Sequence, residues 1–307
     1  MTILIATSVV RGSRQGESHG GVYLVDLERE RVAQAIDWNT ADIDWQGRGW
    51  DRGLRGIEFD GDRVFIAASD ELFVYDREFK RIASYRSPYL KHCHEISRFK
   101  RRLYLTSTGF DSLLGFDLDA NRFSWGLAIG RPNDGLRAVP FDPAGEHGPP
   151  PSNALHLNSV YATERGLYAS GLRTGGLLKF DGRTITLVAT LPQGSHNARP
   201  FRDGILFNDS QADVVRFASP GAQRAFRVPR YAESLLTHRE AGDSKLARQA
   251  FARGLCVIDD GVIAAGSSPS TIALHDLERV KTTMTVTLSH DIRNAIHGLE
   301  VWPYGDF

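Results

Sequence analysis

The sequence predicts an all-β chain folded as a ring of six four-stranded blades, and three observations predict it. First, six segments share one register whose opening position reads Arg55, His94, Asn158, His196, Arg253 and His297. Each opens a short strand-like run: RGIEF, HEISRF, NSVYAT, HNARPF, RGLCVI and HGLEVW. Second, in the first five a small-to-apolar strand begins nine residues later, at Val64, Leu103, Leu167, Ile205 and Val262. The sixth run stops at Phe307, and its continuation, ILIATS, stands at the opposite end of the sequence. Third, helical periodicity is nearly absent. Val, Ile, Phe, Tyr and Thr dominate the runs, and Gly or Asp-Gly punctuates them. A repeat of about 50 residues built from short strands is the signature of a β-propeller, which uses such units without exposing long sheet edges.

The blades follow in order. The first, about 54–86, holds LRGIEF, RVFIAAS, ELFVYD and KRIASYR, and the second, about 93–128, holds HEISRF, RLYLTST, SLLGFD and NRFSWG. The third, about 156–191, holds NSVYAT, GLYASG, GLLKFD and TITLVAT, and the fourth, about 195–229, holds HNARPF, GILFND, DVVRFA and RAFRVP. The fifth, about 252–288, holds RGLCVI, GVIAAGS, TIALHD and TTMTVTL. The sixth joins 295–307 to 2–36, through ILIATS, GVYLVD and RVAQAI. The whole, 1–307, is thus one six-bladed β-propeller domain closed by N-terminal strands pairing with the C-terminal strand. Apolar residues recur two positions after the ring position, at Ile57, Ile96, Val160, Ala198, Leu255 and Leu299. The third strand ends in Asp26, Asp76, Asp117, Asp181 or Asp276, with Ala218 once instead. A short side-chain acceptor there closes a tight reversal into the fourth strand.

Two inserts bear on the blade count. Residues 129–153 are too rich in Pro and Gly to hold a seventh blade. Residues 229–251 are rich in Ala, Leu, Glu, Lys and Arg, which predicts one or two short helices. The long loops, 9–20, 37–53, 85–93, 129–155, 229–252 and 288–296, all fall on one face of the ring, around the mouth of the channel.

Charge excludes some partners. The chain has 37 basic and 37 acidic residues and no net charge, so no global field attracts nucleic acid or an anionic membrane. No apolar run is long enough to span a bilayer, and MTILIATSVVRG reads as a strand, not as a secretory signal. The two cysteines, Cys93 and Cys256, fall in different repeats, which argues against a disulfide framework. A cytoplasmic location is the default expectation. The sequence leaves the oligomeric state open.

The ring column carries the chemistry. His94, His196 and His297 occupy alternate blades, about 120° apart around the axis, so their imidazoles converge. Three imidazoles at one level are a candidate site for a divalent transition metal, zinc, manganese or iron. Arg55 and Arg253, with Asn158, fill the other spokes and suit a small anionic molecule. Glu95 and His156 are the candidate general bases. Guanidinium charge opposes a bare cation, and histidine also ties propeller loops together by hydrogen bonds alone. HExxH, CxxC pairs, phosphate loops and GxSxG are all absent, which removes the corresponding peptidase, zinc-finger, nucleotide and serine-hydrolase readings.

With this column pattern the chain resembles six-bladed propeller enzymes of the senescence-marker/gluconolactonase and streptogramin B lyase groups. The resemblance implies a metal-assisted site at the channel mouth. The gluconolactonase ligands are mainly Glu, Asn and Asp. Asn158 matches that set and the histidines depart from it. Oligogalacturonate lyases, propellers of another blade count, are similar in their histidine-rich manganese site. HLNSVYATERGLYASG and RGLCVIDDGVIAAGSSPST also resemble a poorly characterised bacterial propeller family.

The functional expectation is a metal-dependent lyase or hydrolase acting on a small anionic substrate at the channel mouth. One alternative is a His-ligated iron oxygenase. Another is a non-catalytic propeller that binds a peptide or protein on its looped face, through the loop Trp38–Trp50 and the segment 231–251.

Overall fold

In the computed structural model, which describes residues 1–14, 16–39, 53–133, 135–241 and 248–307, the strands form six antiparallel sheets. The sheets are the blades of a six-bladed β-propeller. Each blade starts with an inner strand beside the axis: Ile57–Asp60, Ile96–Phe99, Leu157–Thr163, Ser195–Phe201, Leu255–Val257 and Asn294–Val301. The sixth blade is built from both ends of the chain. Asn294–Val301 pairs with Ile3–Val10, which pairs with Gly21–Asp26 and then Arg31–Asp37. The closing register runs from Leu4 opposite Val301 to Val10 opposite Asn294.

Burial along each blade explains the sequence pattern. Second and third strands are buried on both faces, as in Arg63–Ala68 and Glu71–Tyr75, and read as unbroken apolar runs. Fourth strands lie at the rim and alternate, as in Arg81–Arg86 and Lys281–Thr287. The core is divided among the six wedges between blades. Leu24, Trp38, Ile57 and Phe73 fill the wedge between the sixth and first blades, and Phe65, Leu72, Leu105 and Phe116 the next. The third to sixth wedges have their own clusters. Every blade therefore buries both faces only because its two neighbours are present.

The aspartates that end the third strands act as the sequence predicts. Asp117 Oδ1 accepts from the backbone N–H of Asp119 and Ala120, both at 2.9 Å. Asp181 and Asp276 repeat the arrangement. Cys93 and Cys256 are both buried free thiols. No helix among the described residues is long and apolar enough to cross a membrane.

Two expectations change and a third is refined. The second blade, expected to have four strands, has a fifth, Arg137–Phe141, inside the insert that is too rich in Pro and Gly for a seventh blade. Pro140 sits opposite Leu127 in that pairing. A proline is tolerated there because the strand is the sheet edge, where no further ladder asks for its missing N–H. The insert 229–251 forms two short helices, as expected, each a three-residue 3₁₀ helix: Glu233–Leu235 and Arg239–Ala241. The first turn has no side-chain cap and no buried residue, so nothing stabilises a longer helix there. Residues 242–247 of that segment lie outside the described residues. Finally, Trp38 is part of the core, edge-on to Phe73 at 5.0 Å, and offers no docking surface. The rest of that loop, 40–52, lies outside the described residues.

Ring closure has one polar keystone. Thr7 Oγ1 donates to Arg55 O of the first blade at 2.5 Å and accepts from Gly298 N at 2.8 Å. Gly298 has to be glycine, since a Cβ there would stand 2.3 Å from Arg55 O. Thr7→Val keeps the shape and strands a buried carbonyl and a buried N–H. We expect a loss of about 2–4 kcal/mol, read as a lower urea midpoint at unchanged m-value. A midpoint within error of wild type would show that the hydroxyl does not hold the closure.

Candidate functional site

The six ring residues stand at one end of the channel, where inner strands begin. All six are more than nine-tenths buried: Arg55, His94, Asn158, His196, Arg253 and His297. The histidines are held in a repeated manner. His94 Nδ1 lies 2.7 Å from the carbonyl of His92 and 2.9 Å from Thr108 Oγ1. His196 Nδ1 lies 2.8 Å from the carbonyl of Gly194 and 2.9 Å from Ser210 Oγ.

These contacts fix the tautomers. A carbonyl can only accept, so each Nδ1 must carry the proton. The hydroxyls agree, because each spends its own hydrogen on the next blade: Thr108 on Leu157 O and Ser210 on Ala252 O. Both imidazoles therefore turn an unprotonated Nε2 away from their own blade. This is how proteins present a histidine as a metal ligand, a base or a hydrogen-bond acceptor.

The predicted residues do gather. The ring of His94 lies 5.6 Å from that of His156 and 6.2 Å from that of His297. Asn158 Nδ2 donates to Ser195 O, next to His196, at 3.4 Å. Arg253 packs over the ring of Phe251 at 4.7 Å, and His196 meets that ring edge-on. Burial, and then the charges of Arg55 and Arg253, hold His94 neutral far below the usual imidazole range. His196 and His297 are held neutral by burial and Arg253 in the same way. His156, half-buried, falls to about 4, mainly through burial.

Among the described residues no three of His, Cys, Asp and Glu are grouped so as to hold a metal ion. The chemistry of the imidazoles suits a transition metal. Their spacing and the neighbouring guanidinium charges do not.

Glu95 lies one layer deeper, in a chamber of about 240 Å³ under the ring. Its carboxylate accepts from Asn197 Nδ2 and, at 3.4 Å, from Ser159 Oγ. Asn197 is itself fixed by Asn208 Nδ2 at 2.8 Å and by Gly254 N at 3.1 Å, both donating to its Oδ1. A bulge at His196–Arg199 puts Asn197 in the left-handed region, at φ 54°, which aims its side chain inward. Burial raises Glu95 to about 7 against the lowering effect of Arg199.

Glu58, Glu300 and Arg199 share the chamber, and sequence reasoning missed all three. Each stands three residues after a ring position, at Arg55, His297 and His196 respectively. That column was available in the same register. Thr108 and Ser210 were missed too, although each lies fourteen residues after its histidine. Burial lifts Glu300 to about 8, with Glu58 and Glu95 adding to the rise. Two polar layers thus follow one another: imidazoles and arginines at the mouth, three carboxyl groups and Arg199 beneath.

Sequence comparison finds no matching family model and no matching curated protein. Structural comparison finds propellers. A chain of the nidogen/laminin complex superposes with a TM-score of 0.61 at 11% identity, covering 98% of this chain and 97% of that one. Catalytically inactive virginiamycin B lyase from Staphylococcus aureus, with quinupristin, gives a TM-score of 0.47 at 10% identity, covering 82% and 72%. The WD40 propeller domain of Doa1 gives 0.46 at 14% identity, covering 79% and 72%. At these identities the likeness concerns the fold alone.

The chamber carboxyls make stability depend on pH in a direction that can be worked out. Glu300 titrates near 4.5 when unfolded and near 8 when folded. A raised carboxyl contributes its stability fully below the unfolded value and loses it as pH climbs through the folded one. The neutral histidines act oppositely, but their effect ends above pH 6.5, the unfolded imidazole value. Between pH 6.5 and 8 the carboxyls therefore decide the slope, and wild type should lose stability. Glu300→Gln should match wild type near pH 5 and exceed it at pH 8. The gain is at most about 4 kcal/mol, less as water fills the chamber. Thermal melts across that window test this, and parallel profiles would refute it.

Proposed function

We propose that the chain is an enzyme that holds a small anionic substrate at the channel mouth and acts on it by acid–base chemistry, as a lyase or a hydrolase. The observation that carries this is the pair of tautomer-fixed imidazoles, His94 and His196, presenting Nε2 lone pairs beside the buried guanidinium groups of Arg55 and Arg253. The arginines anchor the anion. His156, edge-on to His94, and Glu95, poised near pH 7 below it, exchange the proton with a substrate carbon or a water. A negative substrate also activates the site. Its charge offsets the guanidinium charge that keeps the histidines neutral, and so raises their proton affinity on binding.

A second reading is favoured by the same tautomers. A divalent transition metal would be held by His94, His196 and His297 and would supply Lewis acidity. The spacing of the rings and the adjacent arginines oppose it. Elemental analysis of protein purified without added metal separates the two readings. About one metal per chain would establish the second.

The first reading predicts that wild type depletes an anionic member from a pool of small carboxylic and phosphate-bearing acids, followed by mass spectrometry. Arg253→Met and His156→Gln should slow that depletion by about a hundredfold or more. Wild type that consumes no acid and binds none would overturn it.

A further inference from the structure

The residues three after the ring position line the chamber at one level: Glu58 from the first blade, Ser97 from the second, Tyr161 from the third, Arg199 from the fourth and Glu300 from the sixth. In a six-bladed ring the first and fourth blades stand across the axis from each other, and the sixth packs on the first. The level is therefore polarised, with two carboxyl groups on one side and a guanidinium facing them. Three of its groups are not used up by the protein. Glu300 accepts no hydrogen bond among the described residues, and only the charges of Arg199, Glu58 and Glu95 reach it. Arg199 gives one bond to Leu255 O and lies over the ring of Tyr161. It forms no ion pair among the described residues, although its charge acts on all three carboxyl groups. Ser97, 6% exposed, accepts from the Ala162 N–H at 3.0 Å, and its own hydrogen has no acceptor among the described residues.

Opposite charges that line one cavity without touching leave a gap of definite chemistry. A bare cation answers Glu300 but gives nothing to Arg199 or to the Ser97 hydroxyl. A bare carboxylate answers those two donors and meets the charge of the carboxyl groups across from them. The chamber, about 240 Å³, has room for a small molecule and for little more. We propose that it takes a small zwitterion, an α-amino acid, whose ammonium donates to Glu300 on the side of blades six and one and whose carboxylate accepts from Arg199 and Ser97. No residue of the ring takes part, so this site goes beyond the function proposed for the mouth and does not rest on it. The empty chamber holds Glu300 protonated up to about pH 8. An ammonium beside that carboxyl favours its ionised form. Binding therefore releases a proton, and affinity rises with pH until Glu300 is already ionised.

Alanine, propionate and ethylamine are the probes, because they share an ethyl frame and differ in whether they carry both charges or one. Calorimetric titration of the full chain should give alanine an affinity at least about tenfold above that of either single-charge analogue, since each of those leaves one chamber charge unanswered. Arg199→Met should weaken alanine and leave ethylamine unchanged. Glu300→Gln should weaken alanine and leave propionate unchanged. General loosening of the fold does not produce that crossed pattern. Should Arg199→Met fail to fold, Glu300→Gln, which keeps the side-chain shape, carries the test. Alanine bound no tighter than ethylamine or propionate would reduce the chamber to a site for one charge and refute the proposal. Alanine binding that survives Glu300→Gln unchanged would place the ligand elsewhere and refute it as well. No alanine binding at about 10 mM would also overturn it, and would leave the reading of the mouth standing.

Discussion

Everything in this molecule depends on the pairing of Asn294–Val301 with Ile3–Val10. Propeller blades have little core of their own. Their apolar side chains lie in the wedges between neighbours, so a ring with one open joint leaves two wedges half exposed. Closure is therefore cooperative with the whole core. It also sets the site. The Thr7 hydroxyl that joins the sixth blade to the first touches Arg55 O and Gly298 N, the backbone of one ring residue and of the residue that follows another, His297. The distance across the mouth is not adjustable by one loop, since it is fixed by the number of blades and by the contacts between them.

The second constraint is electrostatic. Inner strands bring their polar side chains to the axis, where water is scarce. Two remedies appear. At the mouth the imidazoles give up their charge, and His94 and His196 each spend the Nδ1 proton on the carbonyl two residues earlier, His92 and Gly194. Below, the carboxyl groups rise toward neutrality, and Arg199 supplies the positive charge for Glu58, Glu95 and Glu300. Arg199 is itself anchored on Leu255 O and lies over the ring of Tyr161. The layers are distinct because the ring position and the residue three after it sit at different depths. One short strand thus contributes to both, as His94 with Ser97 and His297 with Glu300 show.

The fold was legible because its information is repeated. A column that recurs six times survives local noise, and the turn aspartates recur for a reason that backbone geometry supplies. Closure was legible for the same reason, since a blade lacking three strands demands them elsewhere. Features present once were not legible. The fifth strand, Arg137–Phe141, carries a proline and little apolar pattern, and it forms because Leu127 and Ile129 offer it an edge. In the segment 229–251 the helix Glu233–Leu235 buries no residue, so nothing in its packing extends it beyond one turn. At the site, the residue types and their convergence were readable from the register. The tautomers were not, because they depend on Thr108 and Ser210, hydroxyls that reach across to the following blade. The chamber was not legible because the residue three after the ring position is charged in only three of the six repeats, at Glu58, Arg199 and Glu300.

The two layers are linked thermodynamically, and this bears on how the site would work. Arg253 appears among the charges acting on every mouth histidine and also on Glu95 below. A negative ligand beside it weakens its field in both directions. The histidines become better bases, and Glu95 becomes a weaker acid that keeps its proton more firmly. Binding of an anion therefore pushes the mouth toward accepting a proton and the chamber toward holding one. Linkage makes the effect reciprocal: whatever raises proton affinity on anion binding makes anion binding tighter as pH falls. On the proposed reading, a ring whose imidazoles are neutral would take up a proton together with an anionic ligand. The buried, carbonyl-anchored imidazoles allow this because Nε2 can accept that proton without disturbing the contacts that hold Nδ1.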